Sequence, residues 1–187
     1  MSEASWAVQR EMSNEPIPTP KDIIALASLI KDERSRALFS LLYLTAGRVS
    51  EVISLEERQI RKVKRKEGYA VYIENIPSRK NPDKKFRDLP ILIDDRRLES
   101  RKPLCEYVFA YLKKRKGKRV FDFGSRRAEQ LLFESTGMNP HWVCHIACTH
   151  LSKFIFKGDV FKLRKWRGWK TIDQAVIYAE YVVEDLI

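Results

Sequence analysis

This sequence predicts an α+β fold, a mostly helical single domain with a small antiparallel β-hairpin or sheet, and three observations predict it. Apolar residues recur at helical spacing through most of the chain. Only between Tyr69 and Ile93 does the period shorten toward two. No internal repeat and no linker-like stretch divides the 187 residues, a length at which one core is the ordinary outcome.

Residues 1–18 are polar and run into Pro16, Pro18 and Pro20, which reads as an arm leading into the fold. Thr19 suits a helix N-cap, Pro20 the first helical position and Asp22 the first turn. Ile23, Ile24, Ala27, Leu29 and Ile30 then supply an apolar face. A second helix, from about Glu33 to Ala46, carries Leu38, Phe39, Leu41, Leu42 and Leu44. That density implies burial on most sides and marks the central helix. After Gly47 a short helix is expected from Val49 to Leu55, followed by the basic run Arg61, Lys62, Lys64, Arg65, Lys66.

Tyr69, Val71, Ile73 and Ile76 mark one strand, and Phe86, Leu89, Ile91 and Ile93 the next. Between them Ser78 to Lys85 is rich in Pro, Asn, Asp and Lys, so the pair reads as a hairpin with a basic tip. Helical spacing returns from Leu104 to Leu112 and ends in the cations Lys113 to Arg119, which suit the negative end of a helix. A short apolar piece, Val120 to Phe123, precedes a helix near Arg126 to Glu134. Three more helices follow, separated by Gly137 to Pro140, Lys157 to Asp159 and Arg167 to Lys170.

Hydrophobic residues make up 44% and charged residues 33%, which excludes a disordered or collagenous chain. Lys and Arg number 36 against 25 Asp and Glu, a net charge of +11 that points to polyanions such as nucleic acid or an acidic membrane surface. Cys105, Cys144 and Cys148 lack the spacing of a disulfide framework, so a reducing compartment is the simpler reading. The N-terminus has no apolar signal region, and no stretch approaches the roughly 18 apolar residues of a spanning helix. The expectation is therefore an intracellular, cytoplasmic protein that is neither secreted nor membrane-embedded.

Four places carry potential chemistry, and each also has a plainer reading. Arg48 sits at a glycine break between two apolar helices, placed either to bind an anion or to pair with Glu51 and lock the corner. Lys80 lies on the hairpin between Arg79 and Asn81, with Lys84, Lys85 and Arg87 close behind, either entering a groove or forming a solvated turn. His141, Cys144, His145, Cys148 and His150 crowd one helix capped by Asn139 and Pro140. Zinc is the obvious ligand for such residues, yet one helix face presents two or three ligands at most, so buried thiols and a hydrogen-bonding His are favoured over metal. Trp166, Arg167, Gly168 and Trp169, followed by Tyr178 and Tyr181, read alone as core aromatics.

The order of these pieces resembles the catalytic domain of the tyrosine recombinase (phage integrase) family from about Pro16 to Tyr181. Leu44-Thr45-Ala46-Gly47-Arg48-Val49-Ser50-Glu51-Val52 looks like the first box, whose Arg binds the scissile phosphate. Ser78 to Pro90 looks like the family's hairpin, with Lys80 matching the catalytic lysine and Arg87 with Pro90 the closing strand. Asn139 to His145, continuing as Thr149-His150-Leu151, looks like the second box, His-x-x-Arg-His. Arg167-Gly168-Trp169 looks like the Gly-His or Gly-Trp site, and Tyr178 falls nine residues after Trp169, where the nucleophile belongs.

The resemblance implies metal-independent and cofactor-free cleavage and rejoining of duplex DNA. Tyr178 would form a 3′-phosphotyrosyl bond, Arg48 would hold the phosphate and Lys80 would protonate the leaving 5′ oxygen. His141 would assist proton transfer, and Trp169 would buttress the site. Arg79, Lys84, Lys85, Arg87, His145, Arg164, Lys165 and Arg167 would contact DNA, and copies would assemble as a tetramer on it. Residues 19–178 would form the catalytic domain and 179–187 a C-terminal tail that packs in cis or on a neighbour.

Two departures matter. The second-box arginine position is Cys144, and a thiol does not replace a guanidinium. Loss of one preorganised donor of this kind typically costs on the order of 3 kcal/mol of transition-state stabilisation. A disabling substitution, a natural relative without strand cleavage, and a compensating cation from Arg164, Lys165 or Arg167 are the three explanations. The second departure is length: about 18 residues precede the first helix, where typical members place a core-binding domain, so the chain reads as a fragment or a minimal recombinase. A DNA-binding or regulatory protein on the same scaffold, without cleavage, is the alternative, and a type IB topoisomerase shares the chemistry.

Overall fold

The computed structural model describes residues 17–66, 69–78, 85–93, 100–115 and 117–183. The described residues form eight α-helices and one three-stranded antiparallel sheet. Helix α1 (Pro20–Leu29) starts where the sequence placed it. Thr19 Oγ1 accepts the Asp22 N–H at 3.2 Å and Asp22 accepts the Thr19 N–H at 2.9 Å, a reciprocal cap.

Helix α2 (Glu33–Thr45) is the centre of the domain, with ten of its thirteen residues buried. Leu38, Phe39 and Leu42 are fully enclosed, and each such side chain contributes roughly 1.5–3 kcal/mol of burial free energy. Around α2 pack α4 (Lys102–Lys114), α5 (Ser125–Thr136) and α6 (Pro140–His150). Between α2 and the sheet lies α3 (Val49–Val52), shorter than the expected Val49 to Leu55. The chain leaves the helix there because the Leu55 carbonyl accepts Val120 N–H at 2.9 Å, and Glu57 N–H donates to the Lys118 carbonyl at 3.0 Å. The apolar piece after residue 119 is thus held by backbone pairing to this corner.

The sheet runs β1 (Ile60–Lys64), β2 (Tyr69–Pro77), β3 (Phe86–Leu92). Ile60 faces Ile73 on β2, which in turn faces Leu89 on β3, so one buried row crosses all three strands. The first strand corrects the sequence reading: the basic run that follows α3 is an edge strand. Its four residues after Ile60 all face solvent, so its cations pair as β without any alternation to betray them.

Helix α6 passes into one π-helical turn, Leu151–Phe156, before α7 (Val160–Arg167) and α8 (Asp173–Val183). His150, at the end of α6, binds Tyr43 Oη through Nδ1 at 2.7 Å and the Pro18 carbonyl through Nε2 at 2.8 Å. That contact ties the segment before α1 to the core. No helix among the described residues is long and apolar enough to cross a membrane.

Candidate active site

The corner between α2 and α3 sets the site. Ala46 closes α2 in the left-handed region at φ 48°, and Gly47 donates its N–H to Thr45 Oγ1 at 2.9 Å. A Cβ at residue 47 would stand 2.7 Å from that oxygen, so glycine is required by close approach. Arg48 then enters α3 with its backbone N–H on Glu51 Oε2 at 3.0 Å and its Nη1 on Glu51 Oε1 at 2.9 Å. The pairing weighed from the sequence is formed, while 25% of the Arg48 side chain stays open to solvent.

Glu51 is fully buried and serves two more guanidiniums. Arg87, from β3, donates Nη2 to Glu51 Oε2 at 3.1 Å and Nη1 to the Arg167 carbonyl. Arg167, the last residue of α7, brings Nη1 to 3.8 Å from the same carboxylate oxygen. Burial alone would raise the Glu51 pKa, but the charges of Arg87, Arg167 and Arg48 outweigh it and hold the carboxyl below its ordinary value. Burial and the charge of Arg167 press the Arg87 guanidinium down to about 10, still charged at neutral pH. Three guanidiniums around one carboxylate leave two positive charges in excess.

Cys144, on α6, faces this corner and donates Sγ to the Ala46 carbonyl at 3.1 Å. The Cys148 thiol, one turn on, and the charges of Arg167, His141 and Arg48 pull its pKa below the ordinary thiol value, against burial. Tyr178, on α8, lies 5.9 Å from the Trp169 ring at 14° between planes and 5.2 Å from the His145 ring. It is 8% exposed, and burial, with Cys148 and Cys144 adding to it, pushes its phenol well above the ordinary value. At rest it is therefore a protonated phenol.

Gly168 brings these parts together at φ 67°, a left-handed C-cap of α7. A Cβ there would meet Ser78 Oγ at 2.6 Å and Arg87 Cδ at 3.3 Å, so the end of α7 lies directly against β3. Trp169 follows, its ring 5.3 Å from the Arg167 guanidinium.

The structure thus gathers Arg48, Arg87, Cys144, His145, Arg167, Trp169 and Tyr178 in one region. His141 is exposed at the start of α6, and the histidine ring against Tyr178 is His145, stacked on Trp142 at 5.2 Å. Lys85 and Lys165 are exposed, and Arg164 donates Nε to the Trp169 carbonyl at 3.3 Å. Arg79, Lys80 and Lys84, with the expected basic tip, lie outside the described residues. Among the described residues no group of three His, Cys, Asp or Glu side chains is placed to hold a metal ion. Sequence reasoning treated Glu51 only as a partner for Arg48 and missed its place at the centre. The available signal was the Arg48-x-x-Glu51 spacing of a helix start.

No family model and no curated protein matches this chain. Solved structures do. The XerH site-specific recombinase bound to palindromic difH substrate superposes with a TM-score of 0.60 at 14% identity, over 91% of this chain and 52% of XerH. The fold is that of the tyrosine recombinase catalytic domain. The Tn1549 transposon integrase in complex with circular intermediate DNA gives 0.53 at 15% identity over 93% of this chain and 66% of the integrase. The FLP recombinase in a Holliday junction complex gives 0.54 at 12% identity over 90% of this chain and 47% of FLP. The chain spans about half the length of XerH and FLP. Its helices and small sheet are those of the tyrosine recombinase catalytic domain, as the order of the boxes implied.

Proposed function

We propose that this chain cleaves and rejoins duplex DNA as the catalytic domain of a tyrosine recombinase. The observation that carries the reading is the cluster of partly exposed Arg48 with buried Arg87 and Arg167, two charges in excess, in the same region as Tyr178. A phosphodiester is the anion such a cluster fits, because charge-assisted N–H donors at fixed positions stabilise the charge of phosphoryl transfer.

In the proposed step the Tyr178 oxygen forms a bond to phosphorus as the bond to the 5′ oxygen breaks. Lys80 delivers the proton that converts the leaving oxygen to a hydroxyl, and the phenol proton leaves with the assistance of His141. Bond energy is kept in the 3′-phosphotyrosyl ester, and attack by a 5′ hydroxyl reverses the step. Self-association on DNA and a DNA-associated location in the cell go with this reading.

One observation favours a second reading, DNA binding without cleavage: the second-box position holds a thiol donating to Ala46 rather than a guanidinium. Labelled, nicked duplexes with a randomised core separate the two. Strand cleavage gives a denaturation-resistant adduct that Tyr178→Phe removes. Salt-dependent binding with no adduct would leave only the binding protein.

A further inference from the structure

We propose that Arg167 supplies the phosphate-binding guanidinium that Cys144 does not, an assignment that rests on the DNA-cleavage reading. The resemblance places the second guanidinium on α6, yet the side chain there stops at a thiol 3.1 Å from the Ala46 carbonyl. Arg167 reaches the same corner from the end of α7: its Nη1 stands 3.8 Å from Glu51 Oε2, its carbonyl accepts from Arg87 Nη1, and its charge acts on the Cys144 thiol. The positive charge has moved from one helix to the next, while its address has been kept.

Arg167 is not used up by Glu51. That carboxylate is already bonded by Arg48 and Arg87, and 3.8 Å is an ion-pair distance rather than a hydrogen bond. Arg167 Nε and Nη1 are buried N–H donors with no hydrogen-bond acceptor, and Arg87 Nε is another. Buried charged donors without acceptors are costly, and a phosphate oxygen is the acceptor that matches a guanidinium fork. Arg164 and Lys165, the other cations near the end of α7, do not compete for the role: the first is turned to the Trp169 carbonyl and the second faces solvent. Gly168 fixes the placement, because only its left-handed turn lets the α7 end rest against Ser78 and Arg87.

The test is a titration of the whole chain with inorganic phosphate, read on the arginine Nε resonances. In the unsubstituted protein the Arg167 signal shifts together with that of Arg48. Arg167→Gln weakens phosphate about tenfold or more, as loss of a charge-assisted bond does. Arg167→Lys falls between, and Cys144→Arg added to Arg167→Gln restores binding. Unchanged affinity in Arg167→Gln, no phosphate binding at all, or an Arg167 signal that stays still while that of Arg48 moves would each overturn the assignment. If Arg167→Gln does not fold, the titration of the unsubstituted protein decides. A chain that binds phosphate through Arg167 but forms no DNA adduct keeps this assignment and removes strand cleavage. Adduct formation at full rate in Arg167→Gln does the reverse.

Discussion

Replacing Glu51 by glutamine tests the charge cluster at its centre. Glu51 is fully buried, with guanidinium nitrogens at 2.9, 3.1 and 3.8 Å from Arg48, Arg87 and Arg167. Its removal leaves Arg87 and Arg167, each 2% exposed, without a counter-charge. Breaking a buried pair in this way costs about 3–5 kcal/mol, and the amide, which keeps the shape and one acceptor, places the change near the lower end, about 3 kcal/mol. For a domain of this size that lowers Tm by about 6–12 °C. Urea unfolding at neutral pH, with an unchanged m-value, gives the free energy directly.

Phosphate or sulfate should recover part of the loss by occupying the cluster. The pH sign is fixed as well. The folded-state pKa of Glu51 lies below its ordinary value of 4.5, so its contribution is fully present above 4.5 and disappears as pH falls through the lower folded value. Glu51→Gln should lack that slope. A destabilisation below about 1 kcal/mol, with the acid slope retained, would show that the arginines do not depend on Glu51.

His145 and His150 are both pressed by burial from 6.5 to about 4, so the unfolded chain binds more protons between those values. Stability should fall as pH drops from 6.5 to 4, by up to about 3 kcal/mol per histidine, and His150→Gln should remove part of that slope in acid unfolding curves. Gly168→Ala should cost about 1–3 kcal/mol in denaturant unfolding, since it combines φ 67° with a Cβ 2.6 Å from Ser78 Oγ. It should also weaken phosphate binding by moving Arg87, whereas Gly137→Ala, at φ 72° in open space, should cost only the backbone strain. Thr19→Ala should cost about 1 kcal/mol by removing the reciprocal cap of α1, with no effect on phosphate binding.

The fold was legible where local chemistry and burial agree. Thr19, Pro20 and Asp22 announce α1, and the density of apolar residues in α2 announces a central helix. β1 was missed because Arg61, Lys62 and Lys64 face solvent and even Val63 is 38% exposed, so no two-residue period shows. The end of α3 was missed because it is set by backbone pairing with residues 118 and 120, far along the chain. The site follows the same division. Arg48, Cys144, Trp169 and Tyr178 stand in ordered boxes that can be read in sequence, whereas the convergence of α3, β3 and α7 on Glu51 comes from long-range packing. Arg87 and Arg167 are legible in sequence as DNA-contacting cations of the closing strand and the Gly-Trp box, whereas their burial around Glu51 is not.

The role proposed for Tyr178 is that of nucleophile in a DNA strand-cleavage step. Mass spectrometry of the proteolysed adduct from nicked, randomised duplexes tests it most directly. The expected product is a nucleotide joined through its 3′ phosphate to the peptide that contains Tyr178. Attachment at any other residue, Tyr181 included, or DNA bound without a covalent product, would contradict it.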